Sequence, residues 1–188
     1  MYKFPVIIFE GVEASGKSFH INNVCKYLNK INRKFIKIRE PGGSKYSEII
    51  RKLILNKNSN FHYKTDLLLI LASRSENYKK IIKKNHKKII ILIDRFTDST
   101  IAYQHYGMGV DLKIINIINR FLLKNIKVNF TFLNVVNKKN LFQRLNKRKS
   151  LNRYDQFDMN FYSKVQKGFL KLAKLSKKSY KIIDSNLD

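Results

Sequence analysis

Apolar residues follow two different patterns along this chain. Five short runs are almost uninterrupted, which is typical of strands that are buried on both faces of a sheet. They lie at 5–9, 35–38, 89–93, 128–133 and 180–183. Between these runs, apolar residues recur every three or four positions, which predicts amphipathic helices. The helical stretches lie at 17–29, 46–55, 66–83, 97–106, 110–124, 138–147 and 157–175.

The alternation of strands with helices predicts the fold class. Parallel strands are joined by helical crossovers, so we expect an α/β fold with a five-stranded parallel sheet flanked by helices. The chain has 188 residues, of which 44% are hydrophobic, and this suits one domain with a substantial core. We therefore interpret residues 1–188 as a single domain.

The cysteine count and the lengths of the apolar runs indicate the cellular compartment in which we expect the protein. The one cysteine, Cys25, excludes an internal disulfide and favours a reducing environment. The longest apolar runs are far shorter than the roughly 20 residues that a membrane-spanning helix needs. The first apolar run ends at once in Glu10 and Gly11, which is unlike a secretory signal. We expect a cytoplasmic protein that does not interact with a membrane.

The charge is strongly positive. The chain has 39 Lys and Arg residues against 13 Asp and Glu residues, a net charge of +26. This excess could indicate a polyanionic partner such as nucleic acid. Lysine, asparagine and isoleucine are abundant in every segment, however, as an AT-rich genome would produce. We interpret the charge as a solvated surface that favours anionic small molecules, and we do not expect nucleic acid as a partner.

A phosphate-binding motif follows the first apolar run. Residues 11–18 read G-V-E-A-S-G-K-S and fit the pattern G-x-x-x-x-G-K-[ST] between a predicted strand and a predicted helix. Glycines let the backbone amides point at phosphate oxygens, and the helix N-terminus adds positive potential. Lys17 is predicted to contact the β- and γ-phosphates of a nucleoside triphosphate, and Ser18 to bind Mg²⁺. The predicted triphosphate-binding residues are Gly11, Val12, Glu13, Ala14, Ser15, Gly16, Lys17 and Ser18.

The residues after the third apolar run favour phosphoryl transfer over hydrolysis. Asp94 ends this run at the sheet edge where open α/β sheets bind ligands, and it is predicted to bind Mg²⁺ together with Ser18. The next residue is Arg95, a bidentate phosphate ligand, and not a second acid that would activate water. The block Arg39-Glu40-Pro41-Gly42-Gly43-Ser44 follows the second run and is expected at the same edge.

These motifs, taken in order over essentially the whole chain, resemble the thymidylate kinase family. The matching segments are 9–18, 39–44, 72–74, 94–95, 98–104 and a basic lid at approximately 144–155. The resemblance implies a three-layer P-loop NTPase fold with a short lid. It also implies transfer of the ATP γ-phosphate to dTMP with Mg²⁺, giving dTDP for dTTP synthesis, and a homodimer.

The resemblance also assigns roles to residues at the acceptor site. Glu13 corresponds to an acid near the acceptor sugar and phosphate, and Arg74 to an arginine that contacts the thymine carbonyl edge. Arg39 and Arg95 correspond to arginines at the acceptor phosphate. Tyr103 corresponds to a tyrosine beside the deoxyribose that disfavours a 2′-hydroxyl. The remaining predicted substrate-binding residues are Pro41, Ile70, Thr100 and Gln104.

The lid supplies three further candidates. Arg144 is predicted to lie on a helix near ATP. Arg148 and Arg153 flank the polar loop and are predicted to be catalytic, with Lys17, Asp94 and Arg95. The phosphate-binding loop itself contains no arginine, as in the subgroup of the family whose catalytic arginine comes from the lid.

Two positions depart from the family pattern. Ile70 stands where the family usually has a phenylalanine that stacks on thymine. A kinase for another pyrimidine nucleotide or for a deoxynucleoside therefore remains an alternative, and the charge keeps open a P-loop ATPase that acts on nucleic acid. Ala14 replaces a common glycine, and we expect it to have a negative φ, as most non-glycine residues do.

Overall fold

A five-stranded, all-parallel sheet forms the centre of the structure, a computed structural model that describes residues 3–124 and 126–186. The strands are β1 (Val6–Glu10), β2 (Phe35–Arg39), β3 (Ile90–Asp94), β4 (Phe130–Val135) and β5 (Tyr180–Asp184). Their order in the sheet is β2-β3-β1-β4-β5. The predicted α/β class is therefore confirmed. The single domain at 1–188 stays a prediction, and its terminal residues 1, 2, 187 and 188 lie outside the described residues.

Helices cover both faces of this sheet. They are α1 (Lys17–Lys30), α2 (Lys45–Leu55), α3 (Tyr63–Asn77), α4 (Lys83–Asn85), α5 (Thr97–Thr100), α6 (Leu112–Leu123), α7 (Lys138–Asn146) and α8 (Met159–Leu175). Alternate residues of β3 show the two covered faces. Ile91 and Ile93 pack with Val6 and Ile8, whereas Leu92 packs with Phe9 in a second cluster. Burial on both faces explains why the strands are nearly continuous apolar runs.

The helices differ from the predicted ones at two places. The stretch predicted at 66–83 begins earlier, at Tyr63, and changes from α3 into a π-helix at Tyr78–Ile82. The stretch predicted at 97–106 is α-helical only in α5 and continues as a π-helix at Ile101–Gly107. A π-helix widens the turn by one residue, and apolar spacing alone does not reveal this.

The predicted lid loop contains a short 3₁₀-helix at Arg153–Gln156. Its first turn is capped by Asn152 and Asp155, whose side chains each accept a backbone N–H from the other end of the turn. The lid is therefore locally ordered. In the described residues, no helix combines the length and the apolar character that would be needed to cross a membrane.

Candidate active site

The loop between β1 and α1 has the geometry of a phosphate cradle. Gly11 has φ +139°, and a Cβ atom at this position would lie only 2.4 Å from the backbone oxygen of Asn134. Only glycine therefore fits here. Gly16 has φ +84° and is the N-cap residue of α1, so the free amides of the helix open onto the loop.

Lys17 is folded back onto this loop. Its Nζ donates to the backbone oxygens of Gly11, at 3.0 Å, and Val12, at 2.7 Å. Burial, and then the nearby charge of Arg95, lower the pKa of Lys17 to about 8. Only 7% of this residue is exposed. The ammonium is therefore held inside the cradle, where phosphate oxygens can replace the carbonyl oxygens.

The expectation for Ala14 is wrong. Its φ is +52°, which lies in the left-handed region and not at negative φ. This value is close to the small left-handed minimum that L-residues can occupy at a cost of roughly 1–2 kcal/mol. The small Cβ of alanine keeps the cost tolerable. The cradle therefore has its curled shape without the common glycine.

One cavity of about 440 Å³ joins the cradle to the carboxyl ends of β1, β2 and β3. Most of the predicted site residues line it. These are Glu13, Ala14, Ser15, Gly16, Lys17, Ser18, Arg39, Pro41, Ile70, Arg74, Asp94, Arg95, Thr100, Tyr103, Gln104, Arg144 and Arg148. Segments that are far apart in the sequence thus meet at one edge of the sheet, as open α/β folds require.

Three of the predicted residues do not line this cavity. Gly11 and Val12 lie beneath it and contribute the backbone oxygens that bind Lys17. Arg153 is directed elsewhere: it forms an ion pair with Asp66, and it lines a second cavity. The structure therefore does not bring Arg153 to the phosphate-binding residues, because the buried Asp66 carboxylate holds its guanidinium.

Glu13, Arg95 and Tyr103 form one network at the mouth of the cradle. Arg95 donates to Glu13 Oε1 at 2.9 Å and to the backbone oxygen of Gly11 at 2.8 Å. Burial disfavours the charged form of Arg95, but the surrounding acidic groups, of which Glu13 contributes most, together outweigh burial and raise the pKa of the guanidinium. Burial also raises the pKa of Tyr103 well above its ordinary value, so its hydroxyl stays protonated and donates to Glu13.

Arg74 lines the cavity and is buried, with 1% of its surface exposed. Its Nε donates to Glu40 at 2.7 Å, and its two terminal nitrogens donate to Asn119, at 2.8 Å, and to the backbone oxygen of Phe96, at 3.0 Å. A guanidinium has five N–H groups, so these contacts fix its plane and leave two N–H groups for a ligand.

Ser18 and Asp94, the residues predicted to bind Mg²⁺, offer oxygen donors that suit this ion. Asp94 Oδ1 is buried and has no hydrogen-bond partner among the described residues. Ser18 lies on the wall of the same cavity. A carboxylate and a hydroxyl beside a phosphate site are the oxygen donors that Mg²⁺ prefers. The residues present therefore fit this ion.

The cavity lining includes an arginine that the sequence did not predict. Arg51 on α2 lines the cavity and donates to the backbone oxygen of Pro41 at 2.6 Å. Nearby, Arg39 pairs with Glu48 at 3.0 Å. The sequence offers one indication of this contact. The helix α2 begins directly after the block at 39–44, so that Arg51 on this helix can reach the backbone of Pro41.

Part of the cavity lining is apolar. Ile70 is 8% exposed and packs in the same core cluster as Tyr103. Phe96, which is 1% exposed, also lines the cavity. An aliphatic side chain therefore lines the cavity at the position where the family usually has a phenylalanine, and the rings of Phe96 and Tyr103 line the same cavity.

Two arginines of the predicted lid line the cavity. Arg144 lies on α7, as predicted, and Arg148 lies in the loop that follows. Arg148 forms an ion pair with Asp155, the acid of the capped 3₁₀-turn. Asn152 and Tyr154 also line the cavity and were not predicted. The lid thus contributes one charged side chain, Arg148, and one aromatic side chain, Tyr154, to the lining of the cavity.

A parallel sheet with a phosphate cradle at its carboxyl edge, and arginines facing that cradle across one cavity, defines a P-loop phosphotransferase. Comparison with known proteins specifies the family, because residues 9–188 match the family described as thymidylate kinase. The chain belongs to the thymidylate kinase family.

Individual relatives agree with this assignment. The chain is 39% identical over 184 residues to a thymidylate kinase of Sulfurihydrogenibium, with 97% of this chain and 89% of the relative covered. It is 38% identical over 186 residues to a thymidylate kinase of Mycoplasma capricolum, with 97% and 87% covered. A crystal structure of thymidylate kinase from Ehrlichia chaffeensis is 33% identical with a TM-score of 0.79, covering 96% of this chain and 90% of that one.

Proposed function

We propose that this protein transfers the γ-phosphoryl group of ATP to dTMP, giving dTDP and ADP. The observation that carries the proposal is the single cavity that connects the P-loop to the acceptor-side arginines Arg39, Arg51, Arg74 and Arg95. Phosphoryl transfer needs two anions placed end to end, and it needs positive charge around the transferred group. A cavity of this kind supplies both.

At the donor end, the cradle binds the triphosphate of ATP. The amides at the start of α1 and the ammonium of Lys17 contact phosphate oxygens. Arg144 and Arg148 line the same cavity, where the lid can bring them to the γ-phosphate. Ser18 and Asp94 would hold Mg²⁺. When bound, this ion neutralises charge on the phosphate oxygens.

At the acceptor end, Arg39, Arg51 and Arg95 surround the expected position of the dTMP phosphate. Glu13 orients Arg95 and positions the hydroxyl of Tyr103 beside the sugar. The two remaining N–H groups of Arg74 suit a carbonyl oxygen of the base. These contacts favour a nucleoside monophosphate over a nucleoside, because the three arginines carry more positive charge than the two carboxylates beside them, Glu48 and Glu13, can neutralise.

The lid excludes water from the site of phosphoryl transfer. The ordered turn at Arg153–Gln156 holds Asp155, which fixes Arg148 at the cavity wall. A closed lid prevents water from replacing dTMP as the phosphate acceptor. We also propose a cytoplasmic location and a homodimer, as the family resemblance implies.

An acceptor panel tests the function. ADP release is followed with dTMP, dUMP, dCMP or thymidine as acceptor, each with and without single-stranded DNA. We expect rapid turnover with dTMP, turnover at least about tenfold lower with dCMP and thymidine, and no effect of DNA. Turnover that depends on DNA and ignores every nucleotide acceptor would overturn the proposal.

A further inference from the structure

Asp66, a buried acid outside the cavity, is connected to the cavity lining through two side chains. Asp66 lies in the first part of α3, is 1% exposed and does not line the active-site cavity. Its Oδ2 accepts a hydrogen bond from the hydroxyl of Tyr154 in the lid turn. The same hydroxyl oxygen accepts from Gln104 Nε2 at 3.2 Å. Tyr154 and Gln104 both line the cavity.

The direction of these hydrogen bonds is determined by Asp66. An ionised carboxylate only accepts, so the single proton of the Tyr154 hydroxyl is committed to Asp66. Burial, and then the Asp66 carboxylate, raise the pKa of Tyr154 well above its ordinary value, so this proton stays in place. The hydroxyl oxygen can then only accept a hydrogen bond from Gln104. Of the two ends of the Gln104 amide, the nitrogen can donate this bond and the oxygen cannot.

The amide of Gln104 consequently has one orientation. Its nitrogen faces two acceptors, Tyr154 Oη and, at 3.9 Å, the sulfur of Met108. Its oxygen, Oε1, is buried and has no hydrogen-bond partner among the described residues. A buried acceptor without a partner is costly unless a ligand supplies a donor.

We propose that Asp66 is a positioning residue for acceptor selection, which acts through Tyr154 to keep the oxygen of the Gln104 amide available to an N–H group of the acceptor base. The inference rests on the proposed function. Thymine has an N–H group at ring position 3, whereas cytosine has an unprotonated nitrogen there. An amide oxygen in this place therefore favours dTMP over dCMP.

Substitution of Asp66 should release this constraint. In Asp66→Asn, the new amide can donate to Tyr154, whose hydroxyl can then donate to Gln104 Oε1. The Gln104 amide can rotate and present its nitrogen to the base, which suits cytosine. In Tyr154→Phe, the hydroxyl is absent and the amide loses its strongest orienting contact.

The test compares kcat/KM for dTMP and for dCMP at saturating ATP, using the full chain. We expect the dTMP to dCMP ratio to fall about tenfold or more in Asp66→Asn and in Tyr154→Phe. The double variant should fall no further than Tyr154→Phe alone, since both substitutions break one relay. The KM for ATP should stay within about twofold, which a general loss of structure would not produce.

Arg153→Lys is the matched control, because it changes the ion-pair partner of Asp66 but keeps a positive charge beside the carboxylate and leaves the Tyr154 contact. Its ratio should equal that of the wild type. An unchanged ratio in Tyr154→Phe, or the same fall in Arg153→Lys as in Asp66→Asn, would overturn the inference, even if Asp66→Asn did not fold. A wild type that does not phosphorylate dTMP would overturn the proposed function and this inference with it.

Discussion

At the scale of single residues, Lys17 links the local sequence to the chemistry. Its ammonium donates to the backbone oxygens of Gly11 and Val12, in the place where phosphate oxygens are expected. Burial and Arg95 lower its pKa to about 8, so above this pH the free protein loses the charge. Bound phosphates favour the charged form and raise the pKa again.

ATP binding above pH 8 should therefore be coupled to proton uptake. At pH 8.5, we expect roughly half to one proton to be taken up for each ATP bound, and ATP affinity should fall as the pH rises further. Titration calorimetry in two buffers of different ionisation enthalpy measures this. Lys17→Arg keeps its charge at every pH and should show no uptake. Equal heats in both buffers for the wild type would contradict the assignment.

Sequence reasoning succeeds for residues whose geometry is local. The cradle forms from consecutive residues, so its motif also predicts its shape. Asp66 and Tyr154 are 88 positions apart and meet only in the folded chain, so no local spacing indicates their contact. The positive φ of Ala14 escaped prediction for a different reason, since the flanking glycines impose the curl and alanine follows it.

At the scale of elements, α8 and the π-helix at Ile101–Gly107 position the acceptor side of the cavity. The π-helix carries Tyr103 and Gln104, and α8 packs directly against it. Gly168 on α8 makes this approach possible, since a Cβ there would lie 2.5 Å from Cδ2 of Tyr106. The close packing of α8 against the π-helix thus depends on the absence of a Cβ atom at Gly168.

Gly168→Ala should destabilise the protein, although glycine to alanine inside a helix usually adds up to about 1 kcal/mol. We expect a loss of about 1–3 kcal/mol in the free energy of unfolding, because the methyl group overlaps the Tyr106 ring. Chemical denaturation measures the change. In a Tyr106→Ala background, the same substitution should be neutral or stabilising. Stabilisation by Gly168→Ala in the wild-type background would contradict this packing.

The helices illustrate what apolar periodicity can reveal. The spacing of apolar residues predicted a helix through residues 97–106, and the structure has helical backbone from Thr97 to Gly107. A change from four-residue to five-residue hydrogen bonding leaves that spacing almost unaltered. Apolar spacing therefore does not distinguish the π-helix from an α-helix.

At the scale of the whole molecule, three neighbouring helices expose large apolar side chains. α3 packs against both α2 and α6. The exposed fractions are 60% for Leu68 on α3, 51% for Ile49 on α2 and 74% for Phe121 on α6. Exposed apolar surface of this extent is typical of an interface between protein chains. It supports the homodimer that the family resemblance implies.

The dimer can be tested through this surface. Sedimentation velocity should give a dimer for the wild type at micromolar concentration and a monomer for Leu68→Glu and Phe121→Glu, since a buried unpaired charge opposes association. Phe142→Glu on α7, where the side chain is 54% exposed, serves as the matched control and should stay dimeric. A monomeric wild type, or equal dissociation by the control, would contradict the assignment.

The topology of the sheet also belongs to this scale. The alternating pattern predicts five parallel strands, but the order β2-β3-β1-β4-β5 depends on which crossovers pack together. That order brings Arg39, Asp94 and the cradle to one edge, because β3 lies between β2 and β1. The convergence of the site is thus a property of the complete sheet.

Direct transfer between two bound nucleotides can be measured as the partition of the γ-phosphate. The enzyme is incubated with ATP and dTMP, and dTDP, ADP and inorganic phosphate are separated and counted in the same sample. We expect one dTDP for each ADP, with inorganic phosphate at least about a hundredfold lower, since the closed lid excludes water. ADP accompanied by equal inorganic phosphate and no dTDP would show that water is the acceptor.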